Sequence, residues 1–156
     1  MLKIKEMRVE DLKTDIVTDS PNPSISCILE SNLQNVVVKQ TQYKVYLDEK
    51  LVWDSGIKED GETINIRYEG VQLLPFTVYL VKAWVKDSCG ETAAGEIQFE
   101  TGRMNTEWKA QWITDASYHF FVFSPKPMVF RKSFKLPQTI KSAKIYSTAF
   151  GIYELC

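Results

Sequence analysis

Apolar and polar residues alternate through roughly the first two thirds of the chain, and the three-and-four spacing of amphipathic helices is nearly absent. The alternating runs are SISCILE (24–30), YKVYLD (43–48), LVWDSG (51–56), TINIRYEG (63–70), TVYLVKAWVKD (77–87) and EIQFETG (96–102). In these runs Ile25, Cys27 and Leu29 share a face, as do Tyr43, Val45 and Leu47. The same spacing groups Ile64, Ile66 and Tyr68, and turns Ile97 and Phe99 inward. Turn signals (SPNP, KEDGE, DSCGE, TGRMN) separate the runs. VEDLKTDI (9–16) is the one place where a helix competes; Thr14, Val17 and the SPNP that follows favour an edge strand and an irregular connection. Short strands at this spacing predict an all-β fold, an Ig-like or fibronectin type III-like antiparallel β-sandwich.

The stretch LLPFTVY (73–79) fits L-x-P-x-T-x-Y. In such sandwiches this spacing marks a tyrosine corner, with Leu73, Pro75 and Tyr79 in the motif positions and the tyrosine hydroxyl bonded to upstream backbone. The alternative is a proline turn before an ordinary strand. Tyr79, Val81, Ala83 and Val85 then face the core, which leaves Val78, Leu80 and Trp84, with Lys82 and Lys86, on the other face. A wet sheet face should be polar. This one is apolar at three positions, so either another domain covers it or it binds a partner.

The character of the chain changes after Gly102. Strand-like runs appear at AQWIT, VFRKSF, AKIYSTA and IYEL, the last ending at Cys156. The expected organisation is a sandwich over residues 1–103 and an incomplete second β-sandwich, jelly-roll-like, over 104–156. The sequence stops inside FGIYELC, as a front piece of a longer protein would, and its open edges invite a strand-paired dimer caused by truncation.

Composition narrows the function classes. Net charge is −1 at pH 7, which argues against nucleic-acid binding and against an anionic membrane surface. No apolar run is long enough to span a bilayer. The N-terminus MLKIKEMRVEDLK lacks the apolar centre of a signal peptide, so a cytoplasmic location is expected. Three cysteines without a C-x-x-C pair offer neither a disulfide framework nor a zinc site.

Candidate chemistry is sparse. The single histidine, His119, lies in the aromatic run YHFFVF, and no nucleophile elbow, metalloprotease or phosphate-loop motif is present. Carboxylates fall in turns (Asp48-Glu49, Glu59-Asp60, Glu62, Glu91), where water would keep them ordinary. Glycoside hydrolysis instead needs two opposed carboxyls, one with a raised pKa. No catalytic, cofactor-binding or metal-binding residue is therefore expected. Aromatic faces stack on sugars but more often serve cores and interfaces. The candidates for sugar or domain contact are Leu80, Trp84, Tyr118, Phe120 and Phe121.

Taken in order, QYKVYL, LVWDSG, the I-x-Y-x-G of 66–70, LLPFTVYLVKAWVKDSCG, FETG, WKAQWI, FRKSF and SAKIYSTAFGIYEL resemble the N-terminal region of bacterial α-L-rhamnosidases. These are inverting glycoside hydrolases with several β-sandwich domains around an (α/α)6 catalytic barrel. The resemblance covers almost the whole chain. It implies a fibronectin type III-like first domain followed by the start of a jelly-roll-like sandwich. It also implies partners within the same polypeptide, namely the barrel and other β domains, and a link to rhamnose-containing glycans. The family's hydrolytic acids lie in the barrel, so none carries over to a position here. Two departures stand out: Cys27 and Ile28 occupy a strand where the family tends to place an aromatic, and the DASYHFFVF segment is unusually aromatic. Two other classes stay open, a stand-alone carbohydrate-binding or adhesion module and a purely structural interaction domain.

Overall fold

A computed structural model describes residues 1–114, 127–136, 139–140 and 143–155. The chain divides into two compact units, Met1–Lys109 and Ala110–Cys156. Among the described residues all eight strands belong to the first: β1 Leu2–Val9, β2 Val17–Thr18, β3 Ser24–Ser31, β4 Val38–Leu47, β5 Lys50–Asp54, β6 Ile66–Arg67, β7 Val78–Asp87 and β8 Thr92–Thr101. They form a three-stranded sheet in the order β1-β3-β6 and a five-stranded sheet in the order β2-β8-β7-β4-β5.

The core lies between the two inner faces. Met7, Val9, Ile25, Cys27, Ile66 and Tyr68 come from the smaller sheet and its flank. Tyr43, Val45, Trp53, Tyr79, Val81, Ala83 and Phe99 come from the larger one. The alternation of β7 is carried out strictly: Tyr79, Val81, Ala83 and Val85 are buried, and their neighbours turn outward. Cys27 is buried in the core, and that burial raises the pKa of its thiol.

Three local expectations are corrected. Residues 9–16 hold no edge strand of their own, since the first strand lies earlier and ends at Val9. Val9 and Leu12 exchange both backbone hydrogen bonds at 3.0 Å across Glu10 and Asp11, whose φ values of 51° and 61° are those of a tight hairpin turn. Ile64 does not join Ile66 and Tyr68 but is 67% exposed. Asn65 takes φ 60°, which breaks the alternation and leaves only Ile66–Arg67 in the ladder. The sandwich is also not wholly antiparallel, because β2 runs parallel to β8, pairing Val17 with Glu100 and Thr18 with Thr101.

In the second unit no strand forms among the described residues, so the runs expected at AQWIT, VFRKSF, AKIYSTA and IYEL are not paired there. Their apolar side chains lie on the surface, Val129, Ile145 and Ile152 among them. Strands without an opposing layer to bury that face gain too little to hold a ladder. Trp112 stacks on Phe150 with ring centroids 4.5 Å apart, and the Tyr153 hydroxyl donates to the Ser147 carbonyl at 3.1 Å.

Candidate functional site

Most of the motif residues build the scaffold. In WDSG, Trp53 packs on Tyr68 with ring centroids 5.3 Å apart. Asp54 Oδ1 accepts from Gly56 N–H at 2.9 Å, and Gly56 takes φ 67°. Ser55 Oγ accepts from Tyr43 N–H at 2.9 Å and donates to the Gly56 carbonyl at 2.8 Å, extending the β4–β5 pairing by one residue. In I-x-Y-x-G, Ile66 and Tyr68 are buried and the Tyr68 hydroxyl donates to the Val71 carbonyl at 2.7 Å. A Cβ at Gly70 would sit 2.5 Å from Tyr68 Cζ and 2.6 Å from Trp53 Cβ, so this ring pair requires glycine. In LLPFTVY, Leu73 is buried and Pro75 with Phe76 forms the turn into β7. Tyr79 Oη accepts from Leu74 N–H at 2.8 Å.

The candidate contact surface is the outer face of the five-stranded sheet. Pairing across β5, β4, β7 and β8 aligns Asp54, Lys44, Lys82 and Glu96 in one row. Two lysines directly opposite each other would repel. Here Lys44 lies 3.5 Å from Asp54 and Lys82 lies 4.0 Å from Glu96, so the row balances itself. On one side runs the row Leu51, Tyr46, Leu80 and Gln98; on the other, Gln42, Trp84 and Ala94. Lys82 Nζ lies 5.6 Å from the centre of the Tyr46 ring. Between the rows is an open, mostly apolar groove of about 330 Å³ lined by Gln42, Lys44, Tyr46, Ile57, Lys82 and Trp84, with Ala94 opposite Trp84.

Leu80 and Trp84 thus share this face and are half-buried, while Val78 is exposed. Tyr118, Phe120 and Phe121, like His119, lie outside the described residues. Sequence reasoning did not name Tyr46, Gln42 or Lys44 as part of the surface. The signal was present, because in YKVYLD an inward Tyr43 and Val45 force Lys44 and Tyr46 outward.

Two carboxylates of the sandwich, Asp54 on this face and Glu6 on β1, are more acidic than usual. Partial burial works against the Asp54 carboxylate, but the Gln42 amide, Gly56 N–H and Lys44 outweigh it and hold its pKa below the ordinary value. The Arg8 hydrogen bond lowers Glu6 likewise. A general acid for a leaving sugar needs the opposite shift. Among the described residues no group of three or more His, Cys, Asp or Glu side chains is placed to hold a metal.

Comparison with known proteins follows the same lines. Residues 4–105 match the family described as Rha78A-like, N-terminal immunoglobulin domain. An α-L-rhamnosidase of Formosa agariphila is 28% identical over 113 residues, a match covering 67% of this chain and 12% of that protein. The crystal structure of Streptomyces avermitilis α-L-rhamnosidase complexed with L-rhamnose superposes with a TM-score of 0.68 at 25% identity, covering 73% of this chain and 12% of that one. The α-L-rhamnosidase from Dictyoglumus thermophilum gives 0.66 at 31% identity, covering 73% and 14%. The chain therefore spans about an eighth of the length of the curated relatives it matches, 12% in each case.

Proposed function

The chain belongs to the family of Rha78A-like N-terminal immunoglobulin domains, and on that premise we propose that it serves as a non-catalytic supporting module of an α-L-rhamnosidase-like glycoside hydrolase. The carrying observation is that residues 4–105 match the N-terminal immunoglobulin domain and that the chain covers only 12% of a related enzyme. In this reading a helical barrel elsewhere in the polypeptide releases terminal L-rhamnose by single displacement. One acid protonates the leaving oxygen while a base activates water. The sandwich packs against other domains of that polypeptide through the outer face carrying Leu80 and Trp84. Its charge row is paired within itself, so a docking surface need supply no counter-charge. In this reading residues 104–156 begin the next β domain.

Reading the source DNA past the codon for Cys156 tests this. An open frame that continues into a long helical, acid-bearing region supports the reading, and a stop codon at that point removes it.

The groove between Tyr46 and Trp84 favours a second reading, a contact for a neutral sugar. Titrating L-rhamnose to millimolar concentration while following tryptophan fluorescence tests it. A saturable change that disappears in Trp84→Ala supports it, and silence rejects it.

A further inference from the structure

The segment that leaves the sandwich, TGRMNTEW (101–108), has the polar composition of a flexible tether. Its geometry is different. Gly102 N–H donates to the Thr18 carbonyl at 2.9 Å, and Gly102 C=O accepts from Phe76 N–H at 2.9 Å. Two residues on, Met104 N–H donates to Asp19 Oδ1 at 2.5 Å. Asp19 follows directly on β2, so the short parallel pairing of β2 with β8 is what brings the carboxylate to this exit. Gly102 makes room for it, because a Cβ there would lie 2.8 Å from Asp19 Oδ1. Met104, at φ 50°, packs its side chain against the core. Thr106 N–H then donates to the Arg103 carbonyl at 3.0 Å, and the Arg103 guanidinium lies 4.5 Å over the Trp108 ring.

We infer that residues 102–108 form a preset bracket that fixes the direction in which the chain leaves the sandwich. Four features converge on it independently: a carboxylate clamp, two backbone bonds at Gly102, an apolar anchor and a cation–π closure. None of them depends on what the chain does, so the inference stands apart from the proposed function.

Limited trypsin digestion tests it in the intact chain. Arg103 lies inside the bracket, and Lys109 is the first basic residue beyond it. Rates are normalised to cleavage at the same two bonds in a synthetic peptide of residues 100–112. The normalised cut after Arg103 should be at least roughly tenfold slower than the cut after Lys109, because cleavage of a folded segment follows the population of its open form. Equal normalised rates overturn the inference.

Asp19→Ala should speed the Arg103 cut by roughly tenfold or more, the worth of a hydrogen bond to a charged group. Asp19→Asn, which keeps an acceptor for Met104 N–H, should largely restore protection. Cuts inside β4 or β7 would report global unfolding of Asp19→Ala. In that event Gly102→Ala, which crowds the carboxylate without removing it, should still expose Arg103 selectively. An unchanged Arg103 rate in both Asp19→Ala and Gly102→Ala contradicts the bracket.

Discussion

Tyr79 and Thr101 hold opposite ends of the same residue. Tyr79 Oη accepts from Leu74 N–H at 2.8 Å, and Thr101 Oγ1 donates to the Leu74 carbonyl at 2.5 Å. Thr101 Oγ1 also accepts from Thr77 N–H at 2.9 Å. The loop that opens β7 is thereby tied at once to its own strand and to the end of β8. LLPFTVY (73–79) and FETG (99–102), separate in sequence, are two halves of one joint.

Tyr79→Phe should lower stability by about 1 kcal/mol, one buried hydrogen bond, and Thr101→Val by about 2 kcal/mol, for two bonds lost at constant shape. Because both act on Leu74, the double variant should depart from additivity by at least about 0.5 kcal/mol. Urea midpoints of the four proteins measure this. Strict additivity would mean that the two bonds do not share the loop.

Gly70→Ala should cost about 1–3 kcal/mol, the usual range for overpacking. The added methyl would lie 2.5 Å from Tyr68 Cζ and 2.6 Å from Trp53 Cβ, so the ring pair must move. A shifted tryptophan emission maximum in the folded variant would report that movement, and unchanged emission and stability would refute it.

Base should weaken the fold through the core thiol. Burial pushes Cys27 up to about 11 from an ordinary 9, with the Tyr43 hydroxyl pulling weakly the other way. A raised folded pKa favours the neutral thiol. Its contribution is intact below pH 9 and is lost as pH rises from 9 toward 11. Stability should fall across that window, and less steeply in Cys27→Ala; identical slopes would exclude the thiol as the cause. Mass mapping of native alkylation should find Cys89, which is exposed, modified well before Cys27.

The sandwich was legible where burial is one-sided. β7 shows it best, since Tyr79 to Val85 alternate without a break and the structure buries those four. Legibility failed where backbone conformation overrides side-chain pattern. Asn65 at φ 60° throws Ile64 outward, and the turn at Glu10-Asp11 ends the first strand at Val9, where an edge strand over 9–16 was expected. β2 was invisible for another reason. Two residues carry no period, and this pair is placed by its parallel pairing with the end of β8 and the bond from Gly102. On the outer face Leu80 and Trp84 were readable from one strand. The groove needed β4 as a neighbour, and register between distant strands is not written in either of them.

A module that only supports a glycosidase should not cleave a glycoside by itself. Incubating the purified chain with an aryl α-L-rhamnoside tests that most directly. No aryl alcohol should be released above the buffer rate, at any pH. Release that scales with protein concentration and follows the protein through a second purification would contradict it.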